Sequence, residues 1–270
     1  MGGNSEYAGV PEAIHGETSL LNHVISAVGP EAARRAVDFI AFYGERCGGG
    51  GSCGDCRDYL MATTRWTELL VACGQSGDHT VHVQRFAAGI VAEERFPEVA
   101  LSAIDLPAAK VLELARSAAE ASRGGVRLFT ADSEHLGVAA LSTTGRIYRA
   151  AGADDAAFHY RYPVGAVLQQ AATERDYFVE AVVVVGADGR LPRLSYRDRQ
   201  YGYEFSSFRR SRGLGPTRLI LVQEAGGAGP KRWSYRLTTF EAALPGAFSA
   251  TDFMPDAVSR FLERGVTSRP

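Results

Sequence analysis

Two short strings in this chain have the residue types and spacing for chemistry: His15-Gly16-Glu17 and Cys53-Gly54-Asp55-Cys56. One imidazole and two thiolates form a ligand set that Zn²⁺ accepts, and three ligands leave the fourth tetrahedral position open. Water in such a position falls in pKa to about 7, so a nucleophile exists at neutral pH. Glu17 is too close to His15 to be an easy co-ligand but can reach that water, which makes it a candidate proton shuttle. Both strings sit where helices are predicted to begin, and the partial positive charge of a helix start favours the thiolate form. A His and two thiolates around Zn²⁺ are formally neutral. A three-thiolate set would be anionic and would call for a nearby arginine, whereas here Thr18 follows Glu17.

Each string alone is weak. Most His-x-Glu pairs are solvated helix residues, and a lone Cys-x-x-Cys reads as structural zinc, a redox pair or an accident. Structural zinc would need a fourth ligand, and Cys47 and His79 are candidates without finger-like spacing. A thioredoxin-like pair would follow a strand, but Gly48 to Gly51 precede Cys53. Taken together and in this order, the strings favour a catalytic metal over a structural one. Cys73, in the run Leu69-Leu70-Val71-Ala72-Cys73, reads as a small buried hydrophobe, and Cys47 has no assigned role.

The elements that must position these residues follow from periodicity. Leu20, Leu21, Val24, Ile25 and Val28 have helical spacing that Gly29-Pro30 ends. Residues 37–43 and 68–73 read as core strands, and a short helix starts at Cys53, carrying Arg57, Tyr59 and Leu60. The segment from Cys73 to about Ala100 is mixed. A boundary is expected near Asp105-Leu106-Pro107, followed by a helix over 108–122 and strands over 136–142 and 146–150 joined at Thr144-Gly145. A helix around 165–177, a strand over 182–185 and a last strand over 219–223 complete the pattern. The second half reads helix, hairpin, helix, strand, helix, strand, and the first half repeats only the later part. Alternation of this kind predicts α/β architecture in three layers.

These strings resemble the signature of zinc deaminases, His-x-Glu followed by Pro-Cys-x-x-Cys, with Ser52 in place of the proline. The chain is similar to the cytidine deaminase family, in particular to two-domain members with a degenerate second domain, and also to blasticidin-S-deaminase-like zinc deaminases. Asn4-Ser5-Glu6 resembles the family's Asn-x-Glu, and Cys56-Arg57 its usual Cys-Arg pair. In the second half, Tyr162-Pro163-Val164-Gly165, Ala172-Thr173-Glu174-Arg175, Pro192-Arg193-Leu194-Ser195-Tyr196-Arg197 and Leu244-Pro245-Gly246-Ala247-Phe248 resemble further family strings. By that matching, Ala172 takes the place of one ligand, and Arg193 and Tyr196 those of the two cysteines.

The resemblance implies two cytidine-deaminase-like α/β/α domains with mixed sheets. Residues 1–105 form the catalytic one, lacking an opening helix and hairpin, and residues 106–270 a pseudo-domain. It implies that His15, Cys53 and Cys56 hold Zn²⁺, that Glu17 is catalytic, and that Asn4 and Glu6 hold the sugar of a nucleoside-like substrate. Ser52 backbone is expected near the amino group. The expected reaction is deamination of cytidine, deoxycytidine or a cytosine-nucleoside analogue. The other readings are a zinc hydrolase acting on a non-standard substrate in specialised metabolism, and a non-catalytic binding protein.

Composition narrows the field. With 29 basic against 31 acidic residues, nothing global demands a polyanionic partner. The eight arginines between Arg190 and Arg218 face only Asp198 and Glu204 there. They are expected on a solvated surface or dimer contact rather than a phosphate-binding patch, so a nucleic acid partner is not expected. The chain has no apolar run long enough for a membrane span and no leader-like start. A cytoplasmic homodimer is the expectation.

Overall fold

The computed structural model describes residues 15–37, 39–44, 53–63, 68–73, 82–87, 92–125, 135–154, 160–187, 189–225, 232–247 and 249–267. The chain divides into two compact units, one of residues 1–90 with 245–248, the other of residues 91–244 with 249–270.

In the first unit, α1 (Gly16–Val28) and the short α2 (Pro30–Ala36) lead into β1 (Phe39–Gly44), and α3 (Gly54–Thr63) leads into β2 (Glu68–Cys73), followed by β3 (His82–Ala87). The break between α1 and α2 lies at Gly29, whose φ of 83° is one that only glycine adopts freely. Pro30 then starts α2 at its first position, where its missing N–H is not needed. The sheet order is β1-β2-β3, with β1 and β2 parallel and β2 and β3 antiparallel. Leu21 of α1 and Leu60 of α3 are fully buried against each other's surroundings, with Leu20, Val37 and Tyr59 packed around them.

In the second unit β4 (Glu98–Val99), α4 (Ala108–Arg123), β5 (Leu136–Ser142) and β6 (Ile147–Ala151) come first, then the small β7 (Ala153–Asp154) and β8 (Tyr160–Arg161). They are followed by α5 (Pro163–Thr173), β9 (Val179–Gly186), α6 (Tyr196–Ser211), β10 (Arg218–Ala225), β11 (Arg232–Thr239), α7 (Phe240–Ala243), α8 (Ala250–Phe253) and α9 (Pro255–Thr267). The mixed sheet has the order β4-β11-β10-β9-β5-β6, with β9 and β10 parallel and their other neighbours antiparallel. Its central strands are covered on both faces, which is why Val182 to Val185 form an unbroken apolar run. Val138, Ala140, Val182, Val184, Leu219 and Leu221 face one core, shared with Val164, Val167 and Leu168 of α5. Their neighbours Ala139, Leu141, Val183, Val185, Ile220 and Val222 face the other, shared with Val111, Leu114 and Ala118 of α4. This two-residue alternation is the strand period turned into two cores, and the unit is a three-layer α/β/α sandwich. Gly137 lets α4 lie against β5, because a Cβ there would sit 1.9 Å from the Ala118 carbonyl oxygen.

The order α5, β9, α6, β10, β11 repeats that of α1, β1, α3, β2, β3, with the same parallel and antiparallel pairings. The elements α4, β5 and β6 have no counterpart among the described residues of the first unit. Five strands escape sequence reading, the two-residue β4, β7 and β8 and the longer β3 and β11. β3 lies in a polar mixed segment, and β11 is only partly buried, so neither shows a clean alternation. The helix expected around 165–177 begins at Pro163 and ends at Thr173.

The arginines of 190–218 are largely consumed inside the unit. Arg199 and Glu93 form a buried ion pair; Glu93 also accepts the Leu194 N–H at 2.9 Å, and Arg199 donates to the Ala243 carbonyl at 2.9 Å. Arg193 meets Glu94, Arg210 meets Glu241, and Arg218 meets Asp105 and Glu180. Arg193 and Arg210 lie at the surface as expected, whereas Arg199 is buried, and these pairs tie the loop at 93–95, α6 and the sheet edge to their neighbours. Removing one member of the buried pair strands the other charge. Glu93→Ala is therefore expected to lower unfolding stability by about 3–5 kcal/mol in chemical denaturation. Glu94→Ala, at an exposed pair, changes it by no more than about 1 kcal/mol.

Candidate metal centre

α1 and α3 come before the two parallel strands of the first unit, and Leu21 and Leu60 pack them together. Their first carbonyls define the starts: Ser19 N–H donates to the His15 oxygen at 2.9 Å, and Arg57 N–H to the Cys53 oxygen at 3.0 Å. His15 and Cys53 are thus the residues just before each helix. Helix starts favour Ser, Thr, Asp or Asn at this position, because a side-chain oxygen satisfies a free N–H. His15 makes no such cap. Its Nδ1 instead lies 3.1 Å from the Cys53 sulfur and 3.2 Å from the Cys56 sulfur. Cys56 and Leu60 are one helical turn apart on α3, so the face that buries Leu60 against Leu21 also turns Cys56 inward. Tyr59 adds a hydrogen bond across to Asn22.

The ligating atoms of His15, Cys53 and Cys56 all lie within 4.8 Å of one another, and both sulfurs are buried. Among the described residues this is the one group of three such side chains so placed. Two sulfurs and an imidazole nitrogen are the donor set of a zinc site with one position open, so the residues fit Zn²⁺. Helix starts on both sides add partial positive charge that favours thiolates.

Proton affinities follow the geometry. The Cys53 thiol is held down to about 4 because the Cys56 thiol donates to it, with further hydrogen bonds from His15 and the Cys56 backbone N–H outweighing burial. The Cys56 thiol is pushed up, because it is the donor to Cys53, with burial and the charges of Cys53 and Glu17 adding to that. His15 is raised by its hydrogen bond to Cys53, with the charges of Cys53, Glu17 and Asp55 adding to it. The Glu17 carboxylate is therefore close enough to act on both His15 and Cys56. Arg57, buried beside Cys56, donates to the Pro245 carbonyl oxygen at 2.8 Å, and residues 245–248 belong to the first unit.

Asn4, Glu6 and Ser52 lie outside the described residues, as do Cys47 and His79. Cys73 is the last residue of β2. For the second unit the structure corrects the residue equivalences drawn from the strings. Ala172, Thr173 and Glu174 stand at the C-terminal end of α5, with Glu174 exposed and paired with Arg146. The residue just before α5 is Tyr162 and the residue just before α6 is Ser195. By helix position, Tyr162 matches His15, Val164 matches Glu17, Ser195 matches Cys53 and Asp198 matches Cys56. Matching by letters misplaced them because it ignored where the helices start. The pattern Ser195-x-x-Asp198 is an N-cap signal that would have located α6.

Here the buried Asp198 carboxylate ties the two helix starts together. It accepts the Val164 N–H of α5 at 2.8 Å and the Ser195 hydroxyl at 3.1 Å, while the Ser195 oxygen accepts the Asp198 N–H at 3.0 Å. Arg197 stacks over the Tyr162 ring at 5.0 Å. Hydrogen bonds join here the positions that His15, Cys53 and Cys56 hold in the first unit.

No family model and no curated protein matches the chain. Among solved structures it is similar to the cytidine deaminase of Burkholderia pseudomallei, at 18% identity and a TM-score of 0.40, over 51% of this chain and 98% of that one. It is also similar to the cytidine deaminase of Mycobacterium tuberculosis, at 17% identity and a TM-score of 0.37, over 53% and 98%. That of Mycobacterium leprae gives 15%, 0.37, 52% and 99%.

Two expectations follow from the site. A metal must displace the protons on His15 and Cys56, both of which are held more tightly than usual, so Zn²⁺ affinity rises with pH past the ordinary imidazole value of 6.5. Chelator competition between about pH 6 and about pH 8 shows tightening, with proton release in weakly buffered solution. Asp198→Ala leaves the Val164 N–H without a partner and lowers the stability of the second unit by about 1–3 kcal/mol in chemical denaturation. Zn²⁺ stoichiometry stays unchanged in that variant.

Proposed function

We propose that this chain is a zinc-dependent hydrolytic deaminase acting on cytidine, deoxycytidine or a cytosine-nucleoside analogue and releasing ammonia. The first unit bears the site, and the second is a degenerate copy that serves as scaffold. The observation that carries the reading is the convergence of His15, Cys53 and Cys56, with Glu17 in the first turn of α1 beside them. The substrate class is supported by the resemblance of the strings around these residues and of Asn4-Ser5-Glu6, which is assigned to the sugar hydroxyls.

In this reading His15, Cys53 and Cys56 would hold the metal. When bound, it supplies a Lewis acid that lowers the pKa of water in its open coordination position to about 7. Glu17 takes a proton from the attacking water and delivers it to the ring nitrogen adjacent to the amino-bearing carbon. The same carboxylate then takes the remaining proton of the added hydroxyl and gives it to the departing amino group. Water is consumed, the carbonyl forms and ammonia leaves, so one carboxylate completes both transfers and returns to its starting state. Burial of both sulfurs keeps bulk water from the ligands, and the Leu21–Leu60 contact holds the two helix starts at a fixed separation.

Ammonia release across a panel of cytosine nucleosides, with adenine nucleosides and guanidine compounds as contrasts, tests the substrate class. Glu17→Gln is expected to bind one Zn²⁺ per chain while turnover falls by about 10²–10⁴-fold. Wild-type-like turnover in that variant would remove the proton-transfer assignment.

A further inference from the structure

We propose that Thr18 is a positioning residue of the metal centre, its hydroxyl donating a hydrogen bond to the Cys56 sulfur. This rests on the reading of His15, Cys53 and Cys56 as metal ligands. The Thr18 hydroxyl oxygen is 3.6 Å from the Cys56 sulfur, within range for a hydrogen bond to that large atom. Either atom can donate while Cys56 is a thiol. A metal-ligating sulfur has no proton, so the hydroxyl must then be the donor.

The other contacts make this bond matter. Cys53 accepts the backbone N–H of Cys56, a donor that stays in place whatever the ligands do. Cys56 is in reach of His15, Cys53 and Thr18. Once His15 and Cys53 turn their donor atoms to a metal, the Thr18 hydroxyl still stands beside the second sulfur. A donated bond draws electron density from the sulfur and fixes the direction of its lone pairs, and metal ligands commonly depend on such partners.

The second unit supplies a control within the same chain. Thr18 is the third residue of α1, and the third residue of α5 is Gly165. A Cβ at Gly165 would lie 2.7 Å from the Tyr201 ring, so that position is given over to helix packing. Where the sulfur is replaced by Asp198, the hydroxyl is absent too. The hydroxyl and the sulfur occur together in one unit and are both missing from the other.

The test uses the full chain with Zn²⁺ and with Co²⁺, whose thiolate charge-transfer band reports on sulfur directly. Thr18→Val keeps the shape and removes the hydroxyl, and Thr18→Ser keeps the hydroxyl and removes the methyl. Thr18→Val is expected to bind one metal per chain with affinity weakened about 10-fold in chelator competition. Its thiolate–cobalt band moves to lower energy, because a sulfur without the donor gives up charge more easily. Thr18→Ser is expected to retain both wild-type values. Unchanged affinity and band position in Thr18→Val would overturn the proposal, as would a Thr18→Ser variant that fails in the same way, since that points to packing of the methyl group. A wild-type chain with no thiolate–cobalt band would overturn the metal-site reading itself, and the role of Thr18 with it.

Discussion

Two helix starts have to meet, and much of the architecture follows from that requirement. A helix that leads into a strand, repeated once with the strands parallel, puts both helix starts at one end of the sheet. The free N–H groups there carry partial positive charge and must be answered. In the first unit the Cys53 sulfur accepts the Cys56 N–H, and in the second the Asp198 carboxylate and the Ser195 hydroxyl serve the helix starts. The same plan therefore gathers two sulfurs and an imidazole in one place and a closed hydrogen-bonded knot in the other.

The chemistry of the two solutions differs in what is left over. In the second unit the Asp198 carboxylate, the Val164 N–H and the Ser195 hydroxyl satisfy one another. In the first, His15 gives up the capping role its position would favour and faces the sulfurs instead. The shifted proton affinities of Cys53, Cys56 and His15 follow from the hydrogen bonds these three groups make to one another.

In the second unit the central strands are buried on both faces, and the Glu93–Arg199 pair closes the loop before β4 against α6. Its extra strands β4, β5 and β6 widen the sheet to six, and α4 gives it a second core.

Residue type and spacing alone determined the candidate ligands His15, Cys53 and Cys56, the carboxylate Glu17, and the α/β alternation. Each of these is a local pattern: a ligand count, a helical period, an apolar run. Tertiary structure alone decided which residues of the second half stand at the helix starts. The string Ala172-Thr173-Glu174-Arg175 looked like a site remnant but closes α5, while Tyr162, Ser195 and Asp198 hold the corresponding places. It also decided that Arg199 is buried against Glu93 while other arginines of the cluster stay exposed, and that Thr18 lies against Cys56. Those facts depend on where a helix begins and what packs beside it, and contacts between residues far apart in the chain leave no periodic trace in the sequence.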